Sequence, residues 1–267
     1  LIKELNNTIK GIKPWVRFGI SPFGVWRNNT SDPNGSETQA LENYDSLYAD
    51  VILWTKEGWV DYMLPQLYWE LEHPKASCEK LAYWWDKNAN GRHMYYGQAV
   101  EKTMDKPDIA PGKSPTQLDH KIALTRELEN VQGNCWWPGY SVTKNYKGIA
   151  DSLATNRQST VALVPAYTWI DSIAPEGVSN LKLKEGKLTW RKAHTSDVMQ
   201  MQRAFVVYAF PKGEKVDIEN SEAILGVTYT NAFNLSPEMK GKYTIAVTAL
   251  DAANNESEEV ATIEVKL

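Results

Sequence analysis

From its first residue to Arg157 the chain alternates stretches that read as buried strands with stretches that read as amphipathic helices, and this order restricts the fold most, because strand–helix repeats build a parallel sheet. Four strands are expected: WVRFGISPFG from Trp15, WVDYMLPQLYW from Trp59, RHMYYGQAVE from Arg92 and GNCWWPGYSV from Gly133. Each is apolar or aromatic along most of its length, as parallel strands covered on both faces are. Helical periodicity fills the gaps: Tyr44 to Lys56, with Leu47, Tyr48, Val51 and Trp54 on one face, then Ala76 to Lys87, Pro115 to Val131 and Tyr146 to Asn156. Ser114 and Pro115 read as the cap and first turn of the third helix, and Gly133 as its stop. The adjacent Trp84 and Trp85 fall on the second helix, where packing against the sheet explains them.

Past Trp169, Asp171 and the Ala174-Pro175 pair the period changes to two. Leu181, Leu183, Leu188 and Trp190 alternate with polar residues, then Phe205, Val207 and Ala209, then Tyr243, Ile245, Val247 and Ala249. A chain of 267 residues has room for two cores. The expected domains are therefore 1–172, an α/β unit, and 173–267, an all-β sandwich, joined near residues 171 to 176. The second resembles fibronectin type III modules through Trp190, LSPEMKGKY and YTIAVTALDAANNES, with Leu235, Pro237 and Tyr243 where that family places its tyrosine corner.

A net charge of −4, with Lys and Arg scattered among acidic neighbours, lacks the footprint of a phosphate binder, so no nucleic-acid partner is expected. Cys78 and Cys135 read as free, and His73, His93, His120 and His194 are too dispersed for a metal site. With no Gly-rich phosphate loop, nucleophile elbow or His-Glu-x-x-His pair, no cofactor and no metal are expected. No run approaches the length of a membrane span. The opening LIKELNNTIKGIKPW reads as the end of one βα unit, so the chain is expected to begin partway through a domain. Of eleven Trp, ten precede residue 171, more than a core of this size asks for. Simple burial explains some of them; sugar faces stack on such rings.

Parallel α/β barrels gather their active-site residues at the C-terminal ends of the strands. Those ends supply Ser21, Trp26, Arg27 and Asn28 after the first strand, and Gln66, Tyr68, Trp69, Glu70, Glu72 and His73 after the second. The third gives Gln98 and Glu101, and the fourth Cys135, Trp136 and Trp137. Amides, one Arg and flat aromatics suit a carbohydrate cleft. Arg27, Gln66, Tyr68, Trp69, Gln98 and Trp136 are the candidate substrate contacts, although Arg27 has Asp32 and Glu37 in its own loop as alternative partners. Glu70 and Glu101 are the candidate catalytic acids, with solvated loop positions as the plainer reading. Asp61, at the start of its strand, should serve stability.

FGISPFGVWRN, GSETQALENYDSLYADVILWTKEGWVDYMLPQLYW and YYGQAVEK together resemble the glycosyl-hydrolase-like family 10, formerly DUF187, over roughly residues 14 to 157. The resemblance implies the C-terminal half of a (β/α)8 TIM barrel, about strands five to eight, followed by the sandwich. It also implies a glycosidase acting on bacterial polysaccharide, peptidoglycan glycan strands in particular, in the bacterial cell envelope as a periplasmic or outer-membrane lipoprotein. That family's Asp-Asp-Tyr-Phe type segment has no counterpart here, so the main acid is expected outside this chain. Hence two expectations stay open: part of a hydrolase cleft, or a non-catalytic glycan-binding or scaffold protein. A half barrel also leaves one side uncovered, so either a missing N-terminal half-barrel or a second chain is expected to cover it.

Overall fold

The computed structural model describes residues 1–109 and 114–267, in two compact units, Leu1–Ser159 and Thr160–Leu267. In chain order the first unit contains α1 (Ile2–Ile12), β1 (Gly19–Ile20), α2 (Asn43–Leu47), α3 (Val51–Lys56), β2 (Tyr62–Met63) and α4 (Cys78–Lys87). Then come β3 (His93–Ala99), α5 (Val100–Asp105), α6 (Leu118–Glu127), β4 (Val131–Trp137), α7 (Gly139–Thr143) and α8 (Ile149–Ser152). The four strands form one parallel sheet in the order β1-β2-β3-β4.

Alternation along the strands sorts their side chains between two faces. Met63, Leu67, Met94 and Tyr96 are fully buried against Val51 and Ile52 of α3, Leu81 and Trp85 of α4, and Leu124 of α6. The opposite face carries Tyr62 and Tyr95, half-buried and edge-to-face at 5.8 Å, and ends in the exposed Cys135 and Trp137. One face is thus a sheet–helix core, and the other is open.

Local chemistry divides the expected elements more finely than periodicity does. The helix read over Tyr44 to Lys56 is two helices, because Tyr48 ends α2 in the left-handed region with φ 53° and the Asp50 carboxylate caps α3 by accepting from Leu53 N at 3.1 Å. The helix expected from Pro115 begins at Leu118 and ends at Glu127, while Gly133 lies inside β4, two residues after it starts. At the other end of the sheet Asp61, almost fully buried, accepts from Lys10 Nζ and from Phe18 N, both at 2.7 Å. It ties α1 to the strand starts.

His93, at the start of β3, is held by burial and by the Arg17 and Arg92 charges at a pKa of about 4. The unfolded chain therefore takes up a proton there first as pH falls from 6.5, so His93 is expected to contribute a loss of stability between pH 6.5 and about 4. Above that window the effect is absent, because both states hold the imidazole neutral. Urea midpoints for wild type and His93→Gln across this range check it: the variant's profile should be flatter, and parallel profiles would refute the assignment.

The second unit contains β5 (Ser179–Lys184), β6 (Lys187–Arg191), β7 (Ala204–Pro211), β8 (Ile224–Thr228), β9 (Ala232–Asn234), β10 (Lys242–Leu250) and β11 (Ala261–Lys266). They make two antiparallel sheets, β5-β6-β9 and β11-β10-β7-β8. Leu188, Trp190, Phe205, Val207, Ile245 and Val247 fill the space between them. Tyr243 donates its hydroxyl to Lys240 O at 3.1 Å. Residues 160–172, expected to close the first domain, group with this unit. Tyr167 N bonds to Ala253 O at 2.9 Å, and Leu163 packs against the buried cluster of Val206, Tyr208 and Phe210.

Candidate functional site

Regular pairing of β1 with β2 ends early, yet the chains stay in register past it. Bridges join Phe23 to Gln66 and Gln66 to Gly97, and Gly97 pairs in turn with Cys135. These residues lie in one row across the C-terminal ends of the strands. The Gln66 amide donates to Ser21 O at 3.2 Å and Ser21 Oγ at 3.3 Å, and both residues are accessible. Tyr68 lies over Gly97: a Cβ there would sit 3.1 Å from the Tyr68 ring, so glycine is what lets the ring lie so close to the sheet. Partial burial, with a smaller push from Cys135, raises the Tyr68 phenol above its ordinary value, so it stays protonated and able to donate at neutral pH. Trp137, two residues beyond Cys135, is 58% exposed.

Ser21, Gln66, Tyr68, Cys135 and Trp137 therefore share the open face. Its chemistry is amide, hydroxyl and aromatic, the set that hydrogen-bonds a polyol and covers an apolar ring face. The loop leaving β1 is fixed beside it, because the Asn28 side-chain amide donates to Glu42 Oε1 at 2.7 Å and to Ala40 O at 3.0 Å.

Two expected contacts turn the other way. Gln98 and Trp136 pair across β3 and β4 and face the helices. Gln98 is 1% exposed, with its Oε1 accepting from Lys121 Nζ at 2.9 Å, and Trp136 packs among Val100, Ile122 and Ile149. Neither is placed to meet a ligand on the open face; counting by twos from Gly133 would have selected Cys135 and Trp137 instead.

Arg27 is also engaged. Its guanidinium bonds to Asp45 at 2.7 Å and 3.1 Å and to Asp32 at 2.8 Å, and lies 4.8 Å from the centre of the Tyr44 ring. The hydrogen bond to Asp45 leads the upward shift of its pKa. Asp32 was one of its sequence alternatives; the other, Glu37, pairs with Lys80 at 2.6 Å. Trp69 is engaged by Phe23 and His73. Its ring stands perpendicular to Phe23 at 5.3 Å, reaches His73 at 6.5 Å, and packs partly against the core.

The two candidate acids occupy different surroundings. Glu101, in the first turn of α5, accepts from Ser141 Oγ of α7 at 2.5 Å. Glu70 borders a cavity of about 420 Å3 shared with Glu72, Lys106 and Gln117. Among the described residues no group of three or more His, Cys, Asp and Glu side chains could hold a metal ion.

Residues 1–111 match the family model "Glycosyl hydrolase-like 10". The chain is 39% identical over 265 residues to the glycosyl hydrolase YngK of Bacillus subtilis, covering 96% of this chain and 51% of that protein. It is 42% identical over 140 residues to the glycosyl hydrolase DigH of Escherichia coli K12, covering 50% of this chain and 32% of that protein. The chain thus spans about half the length of YngK and about a third of DigH. Among solved structures, the spore cortex lytic enzyme SleM of Clostridium perfringens aligns with 77% of this chain and 67% of its own, at 10% identity and a TM-score of 0.26, too low to bear on the fold.

Proposed function

We propose that this chain is part of a glycosyl hydrolase-like 10 protein that cleaves glycosidic bonds in a bacterial polysaccharide of the cell envelope, peptidoglycan glycan strands above all, and that the open face is its share of the cleft. One observation carries the reading: Ser21, Gln66, Tyr68 and Trp137 stand together at the C-terminal ends of parallel strands. Two further arguments support it. The strands pair in unbroken sequential order, and α3, α4 and α6 pack against the strand residues of one face, the arrangement expected of part of a (β/α)8 barrel. YngK and DigH, to which the chain is similar, are named glycosyl hydrolases.

On this reading the open face lines the interior of the barrel, and an upstream half-barrel encloses it and supplies the principal acid. Pairing of two chains through the same face is the other arrangement; light scattering separates them, since a monomer of the isolated chain overturns pairing. The second unit is proposed to be a fibronectin type III-like module acting as a spacer. Its three-plus-four strand arrangement, the Tyr243 corner and the Trp190–Phe205 contact at 5.3 Å support this.

Tyr68→Ala in the full-length protein is expected to lower kcat/KM on peptide-free glycan strands about tenfold, roughly the loss of one good contact. A reducing-end assay measures it, and unchanged turnover would sink the cleft as described. A non-catalytic glycan binder is the second reading. It is favoured by the separate surroundings of Glu70, which borders a cavity, and Glu101, which is bonded to Ser141, and binding without any release of reducing ends would establish it.

A further inference from the structure

Beside the open face, the loops that leave β1 and β2 enclose a cavity of about 310 Å3, which the reading above leaves unused. We propose that this cavity is a subsite for a pyranose ring bearing no acidic substituent, next to the proposed cleft and resting on the glycan reading of it.

The walls are prepared in advance. Gln39 N bonds to Lys75 O at 2.7 Å and joins the two loops; the Lys80–Glu37 ion pair closes one side at 2.6 Å. His73 Nδ1 accepts from Lys75 N at 3.3 Å and Ala76 N at 3.2 Å. With that nitrogen occupied as an acceptor, the neutral ring carries its hydrogen on Nε2, so His73 is a fixed donor. The Gln39 side chain adds a donor and an acceptor, and the Glu72 and Glu79 carboxylates add acceptors. Such a mixture of fixed donors and acceptors matches the alternating hydroxyls of a sugar, and prior ordering of the loops lowers the cost of binding.

Charge narrows the class. Three wall carboxylates, Glu37, Glu72 and Glu79, face one ammonium, that of Lys80, leaving the cavity net negative. Glu79 lies in the first turn of α4, where a helix start accounts for a carboxylate. Glu72 is exposed, receives the Gln117 amide at 3.5 Å and forms no ion pair among the described residues, so its charge is not neutralised within the wall. An acidic sugar entering here meets like charge, whereas a neutral or amino sugar does not.

Continuity with the open face comes through aromatics. Phe23, bridged to Gln66, contacts the Trp69 ring, and Trp69 contacts His73 on the cavity wall. A glycan lying over Gln66 and Tyr68 would pass the Trp69 ring before reaching the cavity. That gives Trp69 a place in sugar recognition different from the one expected of it, as the step between two subsites.

Calorimetric titration of the intact chain tests the proposal, with an N-acetylglucosamine oligosaccharide and an oligogalacturonate of equal length as probes. Wild type should bind the neutral probe at least about tenfold more tightly. Gln39→Ala, which removes an exposed side chain and keeps the backbone bond between the loops, should weaken that binding roughly threefold to tenfold. The Glu72→Gln, Glu79→Gln double variant should narrow the discrimination against the uronate. Equal affinity for the two probes, or discrimination and affinity unmoved in both variants, overturns the subsite. In that case the cleft reading survives if Tyr68→Ala still weakens glycan binding. Failure of the neutral probe to bind at all overturns both.

Discussion

Trp85→Ala should destabilise the first unit by about 3–5 kcal/mol, the range for deleting a fully buried large aromatic. The indole has no exposed surface and lies in the cluster that joins α4 to the sheet. Its ring meets Trp84 edge-on at 5.1 Å, and its Nε1 donates to Gly24 O at 2.8 Å. Gly24 follows Phe23 and passes tightly under the β2 loop; a Cβ there would stand 2.6 Å from both Gln66 O and Trp69 Cζ3. The tryptophan therefore holds the backbone from which the candidate site begins as well as filling volume. Trp85→Phe keeps most of the volume but orphans a buried carbonyl, and should cost about 1–2 kcal/mol. Urea unfolding followed by circular dichroism measures both. A loss under about 1 kcal/mol for the alanine variant would mean that the surrounding core closes over the gap, against the dense packing described.

The order of strands and helices in the first unit, and the change to period two in the second, were legible because each rests on burial repeated over many residues. The parallel sheet, the helix bearing Trp84 and Trp85 and the antiparallel sheets all follow from that pattern. What was not legible turns on single residues. Tyr48 in a left-handed conformation breaks one expected helix into two, and nothing in the apolar spacing signals it. Within WVDYMLPQLYW only Tyr62–Met63 pairs regularly, since Pro65 has no N–H to give a ladder, and the strand continues as isolated bridges through Gln66.

The candidate site shows the same division. Gln66 and Tyr68 are two residues apart on a strand end, which puts them on one face whatever the register. For Gln98 and Trp136 residue type alone does not fix the face, and a shift of one residue sends a strand side chain to the opposite side. Trp69 lies where the strand has already become a loop, so alternation no longer governs it. Arg27 was undecided in the sequence because an ion pair with Asp45, eighteen residues away in sequence, depends on how the intervening loop folds back.

Lys121→Ala is expected to cost about 3 kcal/mol, from two buried acceptors left without a donor and a cavity in place of the butyl chain. Lys121 is a buried lysine with no exposed surface, and its ammonium donates to Trp69 O at 2.8 Å and Gln98 Oε1 at 2.9 Å. It thereby ties the end of β3 to the loop that carries Trp69 and Glu70, and no direct carboxylate partner is needed to explain its position. Burial lowers its pKa, against the opposing pull of Cys78, Glu70 and Glu72. The folded chain therefore gives up this proton at a lower pH than the unfolded chain, whose lysine keeps the ordinary value of 10.5. As pH rises toward 10.5 the unfolded state binds more protons, so the sign is a gain in stability at this site across the alkaline side. Lys121→Met fills the space and removes the desolvated charge but still orphans the acceptors, so its cost should be smaller, about 1–2 kcal/mol, and its contribution free of that pH dependence. Unfolding free energies of wild type and Lys121→Met, measured from neutral to alkaline pH, should diverge in favour of wild type. Curves that stay parallel would show that burial does not lower the Lys121 pKa, its two hydrogen bonds and the neighbouring acidic groups making up for the lost solvent.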